Sequence, residues 1–111
     1  MHKKTPMFIT TKALPDFKII AGYTAKMIHT NQLTVMHVTV EVGHALPEHQ
    51  HPHEQITNVI SGEFEMTVDG VTKVCRAGDA VVIPGNTPHS GIALTDCKLI
   101  DVFNPPREDY K

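Results

Sequence analysis

The chain has 111 residues, of which 41% are hydrophobic and 20% charged, and its formal net charge is −2. A chain of this length buries roughly two-thirds of its unfolded surface, so we interpret residues 1–111 as a single domain. The ten basic residues are spread along the sequence, which argues against a nucleic-acid-binding surface. No apolar run approaches the roughly 18 residues that a membrane span requires.

The N-terminus and the two cysteines bear on location. The N-terminal sequence MHKKTPMFITTK is basic but has no apolar stretch behind it, so it lacks the pattern of a secretory signal. Cys75 and Cys97 have no metal-type spacing. A disulfide between them is possible, but two reduced thiols in a cytoplasmic protein are the favoured interpretation.

Most of the chain has the pattern of short strands separated by turns. Alternation of apolar and polar residues, as in the series Met36, Val38, Val40 and Val42, marks a half-buried strand, and the Asp-Gly pair at 69–70 predicts a tight hairpin. The predicted strands are residues 8–10, 18–20, 23–29, 33–42, 55–60, 63–68, 71–74, 80–83, 89–94 and 97–103. Turns recur about every 8–12 residues and no amphipathic helix is evident, so the predicted class is all-β, a barrel or a sandwich.

Histidines are concentrated in residues 43–62, GHALPEHQHPHEQITNVISG, which hold four of the protein's eight. If the backbone there is extended, His49, His51, His53 and Gln55 lie on one face, because side chains two residues apart point the same way. Neutral imidazole is a common metal ligand, so this face predicts a metal site. The alternative is a run of solvated surface histidines.

The same segment resembles the first of two motifs of the cupin family. In that motif a glycine is followed after five residues by His-x-His, then three or four residues later by Glu, and six residues further by a second glycine. Gly43, His49, His51, Gln55 and Gly62 stand at these positions. The departure is glutamine in place of glutamate at position 55.

Residues 78–93 resemble the second cupin motif. Gly78, Pro84 and His89 match its spacing, whereas Asn86 replaces a glycine and Ala93 replaces an asparagine. Asn86 is compatible with the turn because asparagine tolerates left-handed backbone geometry. The resemblance implies a small cupin jelly-roll β-barrel, a double-stranded β-helix, with a metal at the barrel mouth.

By this resemblance, His49, His51, Gln55 and His89 are the ligands of one divalent transition metal ion. Three imidazoles and an amide are all neutral, so they leave the full 2+ charge of the ion in place. Such a centre is suited to an anionic ligand, particularly a carboxylate. Ni²⁺, Zn²⁺, Mn²⁺, Co²⁺ and Fe²⁺ are all compatible with these donors.

The remaining histidines of interest receive weaker assignments. His53 shares the predicted face but is skipped by the motif spacing, so it is either a ligand or, preferably, a contact behind the ligands or to the substrate. His44 is interpreted as a loop residue. His37 either points inward or packs in the barrel wall, and the second reading is preferred.

A second cluster of candidate residues lies in the C-terminal segment 99–110. Strand parity puts Leu99, Asp101 and Phe103 on one face, and an aspartate between apolar neighbours is costly to bury without partners. Beside a metal, Asp101 could transfer protons. Arg107 offers a planar fork for a carboxylate. Alternatively, Asp101 caps a turn and Arg107 pairs with a neighbouring acid in solvent.

Taken together, the HxHPHEQ, PGNxPH and DVFxPxRED segments resemble a subgroup of single-domain cupins, the pectin-degradation proteins that act on unsaturated uronates. The resemblance implies that Asp101 is catalytic and that Phe103 and Arg107 contact the substrate. The implied reaction is linearisation of 4,5-unsaturated galacturonate, from pectin or alginate breakdown, into 5-keto-4-deoxyuronate. It also implies a homodimer that swaps or pairs edge strands.

Two other functions remain open from the sequence. One is a different metal-dependent cupin reaction, such as that of a dioxygenase or a sugar isomerase. Iron oxygenase sites commonly include a carboxylate ligand, so Gln55 argues mildly against a dioxygenase. The other is a non-enzymatic module that binds a sugar through its metal.

Overall fold

The computed structural model describes residues 7–111 and folds them into antiparallel strands. The strands are β1 (Phe17–Ile20), β2 (Tyr23–His29), β3 (Thr34–Val40), β4 (Ala45–His49), β5 (Glu54–Ser61), β6 (Phe64–Val68), β7 (Val71–Cys75), β8 (Ala80–Ile83), β9 (His89–Ala93) and β10 (Cys97–Asn104). Within this part of the chain the helical segments are two 3₁₀ turns, Thr11–Ala13 and Glu108–Tyr110. The all-β prediction is therefore confirmed.

The strands form two sheets with the core between them. One sheet has the order β1-β2-β3-β10-β5-β8 and the other the order β4-β9-β6-β7. Alternate residues face the core, as predicted: Met36 and Val38 in β3, and Leu99 and Phe103 in β10, are each at most 4% exposed. This arrangement of two antiparallel sheets is a jelly roll.

A group of buried polar residues interrupts the apolar core. Thr57 pairs with Asp101 across β5 and β10, and Gln55 pairs with Phe103 on the same two strands. Thr34, at the start of β3, pairs with Phe103 from the other side. Because a buried polar group is costly without a partner, this part of the barrel is where function is expected.

The histidine segment departs from its predicted extended shape. Strand β4 ends at His49, and an irregular connection at 50–53 precedes β5, so His49, His51, His53 and Gln55 do not share the face of one strand. Sequence reasoning also missed β4 itself, because Pro47 argues against a strand. The proline is tolerated because β4 is the edge strand of its sheet.

Two other local predictions were wrong. Residues 8–10 are not a strand; Phe8 is 95% exposed, and the chain enters the first 3₁₀ turn instead. Val42 does not continue the buried face of β3 and is 56% exposed. Its N–H is bound by the Asp96 carboxylate, 2.9 Å away, rather than by a neighbouring strand.

The turn chemistry was predicted well. Asp69 and Gly70 have φ values of 49° and 80°, both in the left-handed region that a tight hairpin of this kind needs. Asn86 likewise has a φ of 58°.

Cys75 and Cys97 are both free and buried. In residues 7–111 we find no helix with the length and apolarity needed to span a bilayer.

Candidate metal centre

Three imidazoles meet at one end of the barrel. His49 closes β4 and His89 opens β9; the two residues are partners in the four-stranded sheet, with ring centroids 4.2 Å apart. His51, in the β4–β5 connection, brings its ring to 4.9 Å from that of His89. One ring nitrogen from each of the three lies within 4.8 Å of the others. The predicted histidines therefore come together.

Backbone carbonyls fix the orientation of all three rings. Nδ1 of His49 lies 2.8 Å from the Pro47 carbonyl oxygen, and Nδ1 of His89 lies 2.8 Å from that of Thr87. In His51, Nδ1 lies 3.1 Å from the carbonyl oxygen of His53. A carbonyl only accepts, so in each neutral ring Nδ1 carries the proton and Nε2 presents a lone pair. Metal-binding histidines are typically oriented in this way.

Gln55 adds a fourth acceptor to this cluster. Its side-chain N–H donates to Thr57 Oγ1 at 2.9 Å, which turns Oε1 toward His51 Nε2, 3.1 Å away. With the His51 proton on Nδ1, both of these facing atoms are acceptors. Nε2 of His89 is buried and has no hydrogen-bond partner among the described residues. Acceptor atoms that face one another with no proton between them form a site suited to a cation.

Burial keeps two of the imidazoles neutral. It is the main cause that lowers the pKa of His51 to about 4, and the positive charge of Arg107 and the neighbouring His89 act in the same direction. Burial also lowers the pKa of His89. Neutral imidazole is the form that binds metals, so at neutral pH these two rings are ready to do so.

The second motif holds the irregular connection against the cluster. The Asn86 N–H donates to the His51 carbonyl oxygen at 2.7 Å. A Cβ on Gly85 would lie 2.5 Å from the carbonyl oxygen of Pro52, so only glycine allows this approach. The loop before β9 therefore positions His51 as well as supplying His89.

Asp101 faces the same cavity as His49, Gln55 and His89. It is 8% exposed, and its Oδ1 has no hydrogen-bond partner within the described part of the chain. Burial raises the pKa of this carboxyl group to about 6. The alternative that Asp101 caps a turn is wrong, because the residue lies within β10 and points between the sheets.

Phe103 and Arg107 also line this cavity. The Phe103 ring is 2% exposed, and its centroid is 5.8 Å from that of His51. Arg107 is 9% exposed, and its guanidinium stacks 4.9 Å from the Phe103 centroid. Arg107 also pairs with Asp109, as the alternative interpretation of the sequence predicted. Contrary to that interpretation, the arginine side chain is buried rather than solvated.

Of the other histidines that the sequence singled out, His53, His44 and His37 lie outside the cluster of three. The His53 ring packs edge-on against His51, 5.3 Å between centroids, and its Nδ1 is buried without a partner in the described structure. His44 lies on the surface with its Nε2 3.8 Å from a Glu41 carboxylate oxygen. His37 lines a groove on the outer face of the six-stranded sheet.

Two residues near the site were missed by sequence reasoning. Thr57 orients the Gln55 amide, and its place two residues after Gln55 on the same strand face was the available signal. Tyr110 lines the cavity and stacks on Arg107, with the guanidinium carbon 4.4 Å from its ring centroid. It is the last residue of a 3₁₀ turn whose path the sequence did not indicate.

Comparison with known proteins agrees with this architecture. The family described as "Cupin domain" matches residues 36–103. The pectin degradation protein KdgF of Dickeya dadantii (strain 3937) is 36% identical over 64 residues, which are 56% of this chain and 58% of that protein. The match therefore spans less than two-thirds of that relative.

Solved structures extend the similarity over nearly the whole chain. The structure of KdgF from Halomonas sp. is 33% identical, with a TM-score of 0.90, over 96% of this chain and 100% of the other. An RmlC-like cupin from Shewanella frigidimarina is 31% identical, with a TM-score of 0.91, over 96% of this chain and 97% of the other. With its motifs, its jelly roll and its cluster of three histidines, this chain belongs to the cupin family.

Proposed function

We propose that this cupin is a metal-dependent enzyme that linearises 4,5-unsaturated galacturonate into 5-keto-4-deoxyuronate during the breakdown of pectin or alginate. One observation carries the proposal: a buried carboxyl group, Asp101, and a buried guanidinium, Arg107, share a cavity with His49 and His89 of the histidine cluster. The similarity to two KdgF proteins, one of them named for pectin degradation, supports the choice of substrate.

His49, His51, Gln55 and His89 are the residues that hold the metal in this proposal. When bound, a divalent ion held by neutral donors supplies a Lewis-acid charge that favours the substrate carboxylate. Its identity stays open among nickel, zinc, manganese, cobalt and iron, since nitrogen and amide oxygen donors suit all of them. Thr57 keeps the Gln55 oxygen, rather than its N–H group, facing the cluster.

Asp101 moves the proton. Its carboxylate accepts the proton of the hydroxyl group on C1 as the bond between C1 and the ring oxygen breaks, which yields an aldehyde at C1 and an enolate at C5. The same group then delivers the proton to C4, so that the enolate becomes the 5-keto product. One proton leaves O1 and one reaches C4, so the reaction is an isomerisation. General acid–base help of this kind contributes about 10²–10⁴-fold in rate.

Arg107 and Phe103 position the substrate. The guanidinium provides a positive charge for the anionic sugar in a part of the barrel that is largely shielded from water, where charge-assisted hydrogen bonds are strong. Phe103 supplies a flat apolar surface against which the sugar ring can pack. Both residues hold fixed positions because each packs against the other.

The direct test follows the ultraviolet absorbance of the conjugated double bond in freshly released unsaturated galacturonate. We expect metal-loaded protein to speed the loss of absorbance over the uncatalysed rate, and Asp101→Asn to lose most of the acceleration, on the order of 100-fold. Glu65→Gln, which changes a carboxylate on β6 outside the cavity, is the matched control and should keep full activity.

Two outcomes would contradict the proposal. The first is a rate that the wild-type protein leaves unchanged; the second is full acceleration by Asp101→Asn. Oxygen consumption with candidate substrates would instead indicate an oxygenase. Uronate binding without turnover would indicate a sugar-binding module.

We further propose that the protein is a cytoplasmic homodimer. The buried free thiols, Cys75 and Cys97, are consistent with a reducing compartment. A row of β-branched residues crosses the outer face of the six-stranded sheet in register, and it suits packing against a second copy. The row consists of Ile28, Val35, Val102, Ile56 and Val82.

A further inference from the structure

The guanidinium of Arg107 is held on three sides. Its Nε and Nη2 atoms donate to the two carboxylate oxygens of Asp109, at 3.1 and 2.9 Å. It also contacts two aromatic rings, with the guanidinium carbon 4.9 Å from the centroid of Phe103 and 4.4 Å from that of Tyr110. A side chain with several rotatable bonds is thereby confined to one orientation.

The backbone that carries this group is fixed as well. The Arg107 N–H donates to Thr34 Oγ1 at 2.8 Å, and Thr34 is completely buried. At the other end of the turn, the Tyr110 ring packs against Phe17 of β1 with centroids 5.3 Å apart. The C-terminal turn is therefore anchored to both β3 and β1, on either side of Asp109.

Asp109 uses only one edge of the guanidinium. Arginine has five N–H donors, and the pair to Asp109 uses one on Nε and one on Nη2. Among residues 7–111, the N–H groups of Nη1 and the second N–H of Nη2 have no hydrogen-bond partner and remain for another acceptor. Arg107 lines the cavity together with His49, Gln55 and His89.

We propose that Asp109, supported by Tyr110, is a positioning residue: it holds the Nε edge of Arg107 so that the Nη1 edge faces the cavity as a preformed carboxylate-binding site. This inference rests on the proposed function and deepens it, because it gives Arg107, Asp109 and Tyr110 a share, beside the metal, in the recognition of the uronate carboxylate. Orienting the donors before binding lowers the entropic cost of ordering them when the ligand arrives.

A competing reading of the same contact predicts the opposite effect. If Asp109 instead occupied the place of the ligand carboxylate, removing its charge would free Arg107 and strengthen binding of an anion. The Asp109 carboxylate is 53% exposed, so it sits on the solvent side of Arg107 rather than deep in the cavity. That placement favours positioning over competition.

The test compares Asp109→Asn with a matched change in the same turn. Glu108→Gln removes a carboxylate whose partner is Lys111, in solvent, and leaves Arg107 untouched. In ¹⁵N–¹H spectra, we expect a sharp Arg107 Nε–H resonance in the wild type and in Glu108→Gln. Asp109→Asn should broaden or lose it, and Asp109→Glu should restore it in part.

Binding of D-galacturonate to the metal-loaded proteins, measured by calorimetry, gives the second readout. We expect Asp109→Asn to weaken it about tenfold, which corresponds to about 1.4 kcal/mol, and Glu108→Gln to leave it unchanged. Equal or tighter binding by Asp109→Asn would overturn the proposal, as would an unchanged Nε–H resonance. Failure of the wild type to bind galacturonate would count against the proposed function, whereas the resonance still decides whether Asp109 positions Arg107.

Discussion

The two polar atoms of the Gln55 side chain make different contacts. The amide N–H group is bound by Thr57, and the amide oxygen faces His51 Nε2. A glutamate here could not donate to Thr57 in its ionised form, and it would cancel part of the charge of a bound cation. With a cation bound, glutamine at this position would attract anions more strongly than a carboxylate would.

Gln55→Glu tests this at the scale of one residue. We expect the variant to bind a divalent metal at least as tightly as the wild type, because a carboxylate adds attraction for the cation. The KM for the unsaturated uronate should rise, by about tenfold, since the net charge seen by the substrate falls by one unit. Metal content and steady-state kinetics measure the two effects.

The control for added charge is Gln50→Glu, at an exposed position of the same connection. It should leave the KM within about twofold of the wild type, because solvent screens an exposed charge. An unchanged KM in Gln55→Glu would show that the neutrality of the ligand set is irrelevant to recognition.

Many residues of the candidate site could be predicted from the sequence. Others could not, because their contacts depend on the path of a turn. Parity along β10 placed Asp101 and Phe103 inward because an alternating pattern in a half-buried strand leaves one solution. The acidic partner of Arg107 could not be predicted, because a guanidinium can reach several neighbouring carboxylates and the geometry of the turn determines which of them it contacts. Tyr110 was missed for the same reason: its contact with Arg107 depends on the path of a 3₁₀ turn.

At the scale of elements, two connections together build the candidate metal centre. The loop before β9 packs on the β4–β5 connection through the Asn86 N–H and through the close approach of Gly85 to Pro52. His51, which belongs to no strand, depends on this packing for its position beside His89. Motif spacing predicted the candidate ligands, but the contact between the two loops was not predictable from the sequence, because it is a tertiary contact across more than thirty residues.

Gly85→Ala should therefore act on metal affinity. The added Cβ clashes with the Pro52 carbonyl oxygen, which moves His51 away from His89, and we expect the metal affinity to fall about tenfold. Gly70→Ala is the control: it strains the backbone at a φ of 80° but meets no atom within 4 Å. It should lower thermal stability and leave metal affinity unchanged, and calorimetric titration with Zn²⁺ distinguishes the two.

A second outcome bears on the loops themselves. If Gly85→Ala binds Zn²⁺ as tightly as the wild type, then His51 is held by its own connection and the contact with the second motif is not needed. The comparison should be made at a temperature where both variants are folded by circular dichroism.

At the scale of the whole molecule, the apolar row on the six-stranded sheet bears on assembly. Its members alternate with core residues along each strand, and two of them, Ile56 and Val82, are 39% and 60% exposed. Lys98 lies on the same face on one side of the row and Glu54 on the other, since β10 and β5 run in opposite directions. A two-fold axis along the row brings the basic side of one copy against the acidic side of the other.

Ile56→Lys should convert the proposed dimer to a monomer, because burying an unpaired charge between two apolar faces is costly. Val71→Lys is the matched control, at a 71% exposed valine on the other sheet, and should leave the dimer intact. Sedimentation equilibrium measures both. A wild-type protein that is monomeric at micromolar concentration, or an Ile56→Lys variant that stays dimeric, would contradict this interface.

The position of the candidate metal centre between the two sheets bears on how quickly the protein would be degraded in the cell. His49 and His89 belong to the four-stranded sheet and Gln55 to the six-stranded one, so an ion held by all three would link the two sheets. A ligand present at a thousand times its dissociation constant stabilises the folded state by about 4 kcal/mol. Metal supply would then set how often the barrel mouth opens to proteases, and a starved cell would hold fewer copies of the protein as well as less active ones.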